Sequence, residues 1–116
     1  MAELVDESVA GDSAAAELLG VDRTRVSQRV TERSIYSFVV GDTRHFPTWQ
    51  FDANRTIAGL KAVLGTLDGS LHPVVVSRWF TSPSLELVVD DQPVSPRDWL
   101  ATGGPPDVVA ALAAYL

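Results

Sequence analysis

The segment Leu18-Leu19-Gly20-Val21-Asp22 places a chain reversal between two short helical stretches, and this restricts the fold more than any other feature of the chain. Before it, Asp12 or Ser13 can cap a helix whose Ala14, Ala15, Leu18 and Leu19 share one face. Gly20 can adopt the left-handed conformation that ends a helix, and Asp22 stands where a carboxylate accepts from the first amides of the next one. That second helix, roughly 23–31, carries Val26 and Val30 four residues apart on its inner side. Its outer side carries Thr24, Arg25, Gln28 and Thr31, with Ser27 at the edge.

Beyond the helix pair the period changes. Residues 35–40 (IYSFVV) and 43–46 (TRHF) read as two strands around Gly41-Asp42, where glycine in the first loop position suits a type II′ turn. Pro47 ends the second strand, and Trp49 and Phe51 can pack the hairpin onto the C-terminal half. From residue 56 the pattern is helical, with Ile57, Leu60, Val63, Leu64 and Leu67 on one stripe before Asp68-Gly69-Ser70. His72-Pro73 opens a helix with the pairs Val75/Trp79 and Val76/Phe80, and Ser82-Pro83-Ser84 stops it. Residues 85–94 suggest a helical turn and then a loop. Ser95-Pro96-Arg97-Asp98 is a strong helix start, and Pro105-Pro106-Asp107 opens the last helix, with Val108, Val109, Leu112 and Tyr115 or Leu116 on its inner side. The expected fold class is therefore mainly α. It has three parts: an acidic flexible tail (1–11), a helix-turn-helix with a short β-hairpin as a wing (12–52), and a small C-terminal helical bundle (53–116).

Composition excludes several functions. No cysteine is present, so disulfides, thiolate metal sites and cysteine nucleophiles are ruled out. His45 and His72 have no metal-ligand spacing to each other. His45 beside Arg44 suits phosphate contact or exposure, and His72 beside Pro73 suits a helix start. Asp90-Asp91 reads as two solvated acids rather than a general acid–base pair. Gly103-Gly104 lacks the lysine of a phosphate loop, and the prolines after it remove backbone donors. No catalytic residue, metal site or cofactor is expected. No apolar run reaches the ~18 residues of a membrane span, and acids stand where a signal peptide carries bases, so the expected location is cytoplasmic.

The net charge of −6 is unevenly spread. Residues 1–11 hold a net −3 in Glu3, Asp6 and Glu7, residues 12–55 are balanced, and residues 56–116 hold a net −3. Arg23, Arg25, Arg29 and Arg33 fall within eleven positions. A helix that reads DNA must present base-edge donors and acceptors flanked by cations. Arg25 and Gln28 have the bidentate groups for guanine and adenine edges, and Thr24 and Ser27 can contact bases or phosphates. Arg23, Arg29, Arg33 and the hairpin's Arg44 are candidate phosphate anchors. An arginine-rich solvated helix in an ordinary bundle would show the same pattern.

The stretch AAELLGVDRTRVSQRV (15–30) with IYSFVVGDTRHFPTWQF (35–51) resembles the excisionase and MerR-like winged helix-turn-helix. FPTWQFD (46–52), HPVVVSRWFTSPSLEL (72–87) and QPVSPRDWLATGGPPDVVAALA (92–113) resemble the toxin-binding domain of Xre/MbcA/ParS-type antitoxins. This second resemblance implies an antitoxin that represses its own operon and blocks a RES-domain toxin acting on NAD. The implied partners are operator DNA, the cognate toxin from the adjacent gene and a second copy of the chain in a homodimer. The implied toxin-binding residues are Trp79, Phe80, Asp98, Trp99, Tyr115 and Leu116. The alternatives are a stand-alone DNA-binding regulator or excisionase-like factor with a dimerisation domain, and an adaptor whose helix-turn-helix no longer binds DNA.

Overall fold

The computed structural model describes residues 2–116, and the fold it shows is mixed α/β rather than mainly α. Helix accounts for 46% of the chain and strand for 21%, the latter spread over seven short strands in three antiparallel sheets. The N-terminal residues do not form the solvated tail that their acidity suggests. Ala2–Asp6 forms helix α1 and Ser8–Ala10 forms strand β1. Leu4 is buried, and β1 pairs with the later hairpin, so the apolar residues among the acids have a place to go.

Helices α2 (Asp12–Leu19) and α3 (Arg23–Thr31) form the helix pair. Gly20 has φ 68° and ψ 33°, the left-handed end that an L-residue adopts only with strain. Strands β2 (Phe38–Val40) and β3 (Thr43–Pro47) come next, joined by Gly41-Asp42. Gly41 has φ 61° and Asp42 has no positive φ, as a type II′ turn requires. The sheet order is β1-β3-β2, which makes β3 the central strand. Helices α1 and α2 also pack against β3, so His45, Phe46 and Pro47 are all buried and the simple in–out alternation of a two-stranded hairpin is lost.

After a 3-10 turn at Thr48–Gln50 come the two-residue strands β4 (Phe51–Asp52) and β5 (Arg55–Thr56). Helix α4 covers only Leu60–Leu64, yet the whole stripe Ile57, Leu60, Val63, Leu64 and Leu67 is buried. Helix α5 (Pro73–Thr81) begins at His72, whose Nδ1 accepts from the Val74 amide at 3.1 Å. Residues 85–94 are not a helical turn. Strands β6 (Ser84–Val89) and β7 (Gln92–Val94) form a hairpin around Asp90-Asp91, both with positive φ, as in a type I′ turn. Helices α6 (Pro96–Ala101) and α7 (Pro106–Ala113) complete the chain, and Ser95 caps α6 by accepting from the Asp98 amide at 3.0 Å.

Two apolar clusters carry the packing. One joins Ala15, Ala16, Val26, Ile35, Phe46 and Phe51; the other joins the α4 stripe to Val76, Phe80, Leu87, Leu100 and Val109. The 3-10 turn links them. Trp49 stacks on Phe80 with ring centres 4.0 Å apart and donates from Nε1 to Ser77 Oγ at 3.0 Å. Arg97 donates from Nε to the Trp49 carbonyl and from Nη2 to the Phe51 carbonyl, at 3.1 and 3.2 Å. No helix is long and apolar enough to cross a membrane among the described residues.

Candidate nucleic-acid interface

Helix α3 is fixed from within by Val26, which is fully buried against Ala15 and Ala16 of α2. Its N-terminus is fixed by Asp22, whose Oδ1 accepts from the Arg25 amide at 2.8 Å. The helix then presents Thr24, Arg25, Gln28, Thr31 and Glu32 to solvent, with Ser27 half-buried between them. Arg25 Nη1 donates to Gln28 Oε1 at 3.2 Å, so the two planar side chains lie together on that face. The Gln28 amide nitrogen and the other guanidinium donors point to no protein partner among the described residues. Arg25 also faces Glu32 at 3.9 Å, with both side chains nearly half exposed, a pairing that contributes little in water.

The cations around this face are fewer than the sequence suggests. Arg23 is exposed and Arg29 half-buried on α3. Arg33 closes α3 in the left-handed conformation, φ 58°, and its Nη2 donates to the Leu67 carbonyl at 2.9 Å. One of its nitrogens is thereby turned toward the C-terminal half. Arg44 lies 3.6 Å through Nε from Asp12 Oδ1, the two side chains being 30% and 28% exposed. Arg44 Nη1 and Asp12 Oδ1 are each buried without a hydrogen-bond partner among the described residues. Arg44 therefore stands neutralised rather than offered to solvent.

His45 is neither exposed nor placed for phosphate contact. It is 7% exposed, stacks on Phe38 at 5.4 Å and lies 3.0 Å through Nδ1 from Ser8 Oγ. The Ser8 hydroxyl donates its one proton to the Val5 carbonyl at 2.6 Å, which leaves Nδ1 as the donor to Ser8 Oγ. His45 thus pins the N-terminal segment to the hairpin.

The residues expected to bind a toxin do not form one patch. Phe80 is fully buried between Trp49 and Trp79, its T-shaped neighbour at 4.8 Å, and presents nothing to a partner. Trp79 and Trp99 are half-buried. Trp99 donates from Nε1 to the Pro105 carbonyl at 3.0 Å and lies over Gly104, where a Cβ would come within 2.5 Å of the ring. Asp98 is exposed and paired with Arg97 at 3.2 Å. Tyr115 is 91% exposed and Leu116 is exposed beside it, at the far end of α7 from Trp99.

Sequence reasoning missed Gln50 and Arg97, the side chains that tie the two clusters together. Neither lies on a periodic apolar stripe, and both act on backbone groups distant in sequence, so no local pattern marks them. Among the described residues no group of histidines and acids could hold a metal ion.

No protein-family model matches the chain, and no curated protein matches it in sequence. In structure the chain is similar to the NMR structure of Rv2175c, with a TM-score of 0.66 over 90% of this chain and 77% of that one. Identity between them is 23%, so the likeness extends to the fold alone.

Proposed function

We propose that the chain is a sequence-specific DNA-binding regulator that reads base edges with the outer face of α3. One observation carries this reading: Arg25 and Gln28 sit side by side on a solvent-facing helix surface whose opposite side is locked into the core by Val26. Helix–base contacts need a rigid element carrying such groups. A single short helix makes few contacts, so the regulator acts as a two-fold dimer on half-sites about 34 Å apart. With Arg23 and Arg29 available for the backbone, each protomer neutralises about two phosphates, giving a salt slope of about −2 per protomer.

Selection from a pool of random duplexes, followed by titration of the enriched sequence, tests this. The expected result is a palindromic consensus. Arg25→Ala then loses about 1–3 kcal/mol on the consensus and relaxes one base position. No enrichment, or an equal loss on every duplex, overturns the reading.

A second reading, an antitoxin that also neutralises a RES-domain toxin encoded by the adjacent gene, is favoured by the exposed C-terminal pair Tyr115 and Leu116. An exposed aromatic side chain such as Tyr115 suits insertion into a pocket of a partner. The test is co-expression with the product of the adjacent gene. Growth rescue and a stable complex are expected, with the complex weakened when Tyr115 and Leu116 alone are removed. Ala113 is part of the core and must stay. No complex, or one indifferent to that truncation, leaves the regulator reading by itself.

A further inference from the structure

A cleft of about 430 Å³ opens between the β2–β3 hairpin and helices α4 and α5, away from the outer face of α3. Its floor is apolar, formed by Ile35, Phe38, Leu64, Leu67, Leu71 and Val76. The volume falls within the range of small-molecule sites. Three polar groups also line it. Arg33 uses one nitrogen on the Leu67 carbonyl, and its other nitrogens have no hydrogen-bond partner among the described residues. Asp68 uses one oxygen, Oδ1, to accept from the Ser70 amide and hydroxyl at 2.8 and 2.7 Å, leaving the other oxygen unused. The Tyr36 hydroxyl has no partner among the described residues and belongs to a phenol that burial pushes up to about 12, so it stays a donor.

Arg33 is the unusual element. A helix end with φ 58° ordinarily takes glycine, and a long side chain there is held with backbone strain. Its guanidinium and the Asp68 carboxylate line the same cleft, yet among the described residues no ion pair forms between them. A cation and an anion held apart over an apolar floor suit a ligand with both charges close together and an apolar body. A simple anion would face Asp68, and a simple cation would face Arg33. A neutral hydrocarbon would use the apolar floor and leave both charges unpaired.

We propose that this cleft binds a free α-amino acid with a large aliphatic or aromatic side chain, its carboxylate on Arg33, its ammonium on Asp68 and its side chain on the Ile35–Leu71 floor. The site is separate from the DNA-reading face and does not depend on either functional reading.

The test is an amide-resonance titration of the full chain with L-leucine and L-phenylalanine. Saturable one-to-one shifts confined to residues around Arg33, Tyr36 and 67–71 are expected, with a Kd of about 1 mM or tighter. Phenethylamine and 3-phenylpropionate, which each carry one of the two charges, bind about tenfold more weakly. Asp68→Asn, an exposed change that keeps the oxygen facing Ser70, weakens the amino acids by a similar factor. Val39→Trp plugs the mouth from a residue that is 64% exposed, and it abolishes binding while the amide spectrum elsewhere stays native. No saturable shift at about 10 mM, equal binding of the singly charged analogues, or an Asp68→Asn variant that binds as well as the wild type overturns the proposal.

Discussion

Gln50 holds Tyr36 by both of its backbone groups: Oε1 accepts from the Tyr36 amide and Nε2 donates to the Tyr36 carbonyl, each at 2.8 Å. Nε2 also donates to the Pro47 carbonyl at 3.1 Å, so one fully buried side chain satisfies three backbone groups. It does for the 35–37 segment what a neighbouring strand would otherwise do.

Replacing Gln50 with leucine preserves its volume but leaves the Tyr36 amide and two carbonyls without this partner. Two or three unsatisfied buried groups cost about 2–4 kcal/mol. Urea unfolding followed by tryptophan fluorescence measures the change. A loss below about 1 kcal/mol would mean that water or relaxed backbone replaces the side chain.

Tyr36 also gives the chain a high-pH signature. Burial raises its phenol from 10.0 to about 12, because the phenolate would lose solvation. The folded-state value is the higher one, so the associated stability is present in full below pH 10 and is lost as pH rises toward 12. Ultraviolet titration should show a phenolate step near 12 that Tyr36→Phe removes. A Tyr36→Phe variant that instead loses a step near 10 would contradict the burial.

Helix α3 occupies the residues that its pattern predicts, because Gly20, Asp22 and the Val26 spacing act within a few residues of one another. The helix starts at Pro73 and Pro96 are equally local. The parts that the sequence hides depend on distant partners. The acidic N-terminus resembles a tail, since the pairing of Val9 with Phe46 is invisible without the sheet. His45 and Arg44 look outward-facing because a two-stranded hairpin exposes one face, whereas β1 pairs with β3 and helices α1 and α2 pack against it. The β6–β7 hairpin lacks a recognisable signal because its turn is Asp90-Asp91 rather than Asn-Gly, and a register shift between Ser84 and Val88 breaks the alternation. Of the proposed DNA face, Thr24, Arg25 and Gln28 lie together as their spacing predicts, while Arg33 is turned toward Leu67 and Arg44 faces Asp12.

Gly59 and Gly69 should respond in opposite ways to alanine. Gly59 begins α4 at φ 79°, and a Cβ there would lie 2.6 Å from Pro106 Cβ and Cγ at the start of α7. Strain and overlap together cost about 2 kcal/mol or more, since α7 cannot shift without opening the core. Gly69 has no positive φ and nothing within 4 Å of an added Cβ, so Gly69→Ala stays within about 1 kcal/mol of wild type, on the stabilising side. Thermal melts of the two variants suffice, and similar losses in both would contradict the α4–α7 contact.

The Asp12–Arg44 pair makes the last prediction, on DNA binding. With Nε 3.6 Å from Oδ1 and buried atoms on both sides lacking hydrogen bonds, the pair is held without good geometry, and the attraction only partly offsets its desolvation. Arg44→Ala alone should therefore change DNA affinity little, because the cation is already neutralised. Asp12→Asn keeps the shape of the side chain and removes the competing charge. Arg44 is then available to a phosphate, and non-specific binding should tighten several-fold, with the salt slope steeper by about one unit. Adding Arg44→Ala to Asp12→Asn should erase that gain, and the four affinities form a double-mutant cycle that isolates the pair. If Arg44→Ala weakens binding by a full phosphate contact in the wild-type background, Asp12 does not hold it back and DNA already wins the competition for the arginine.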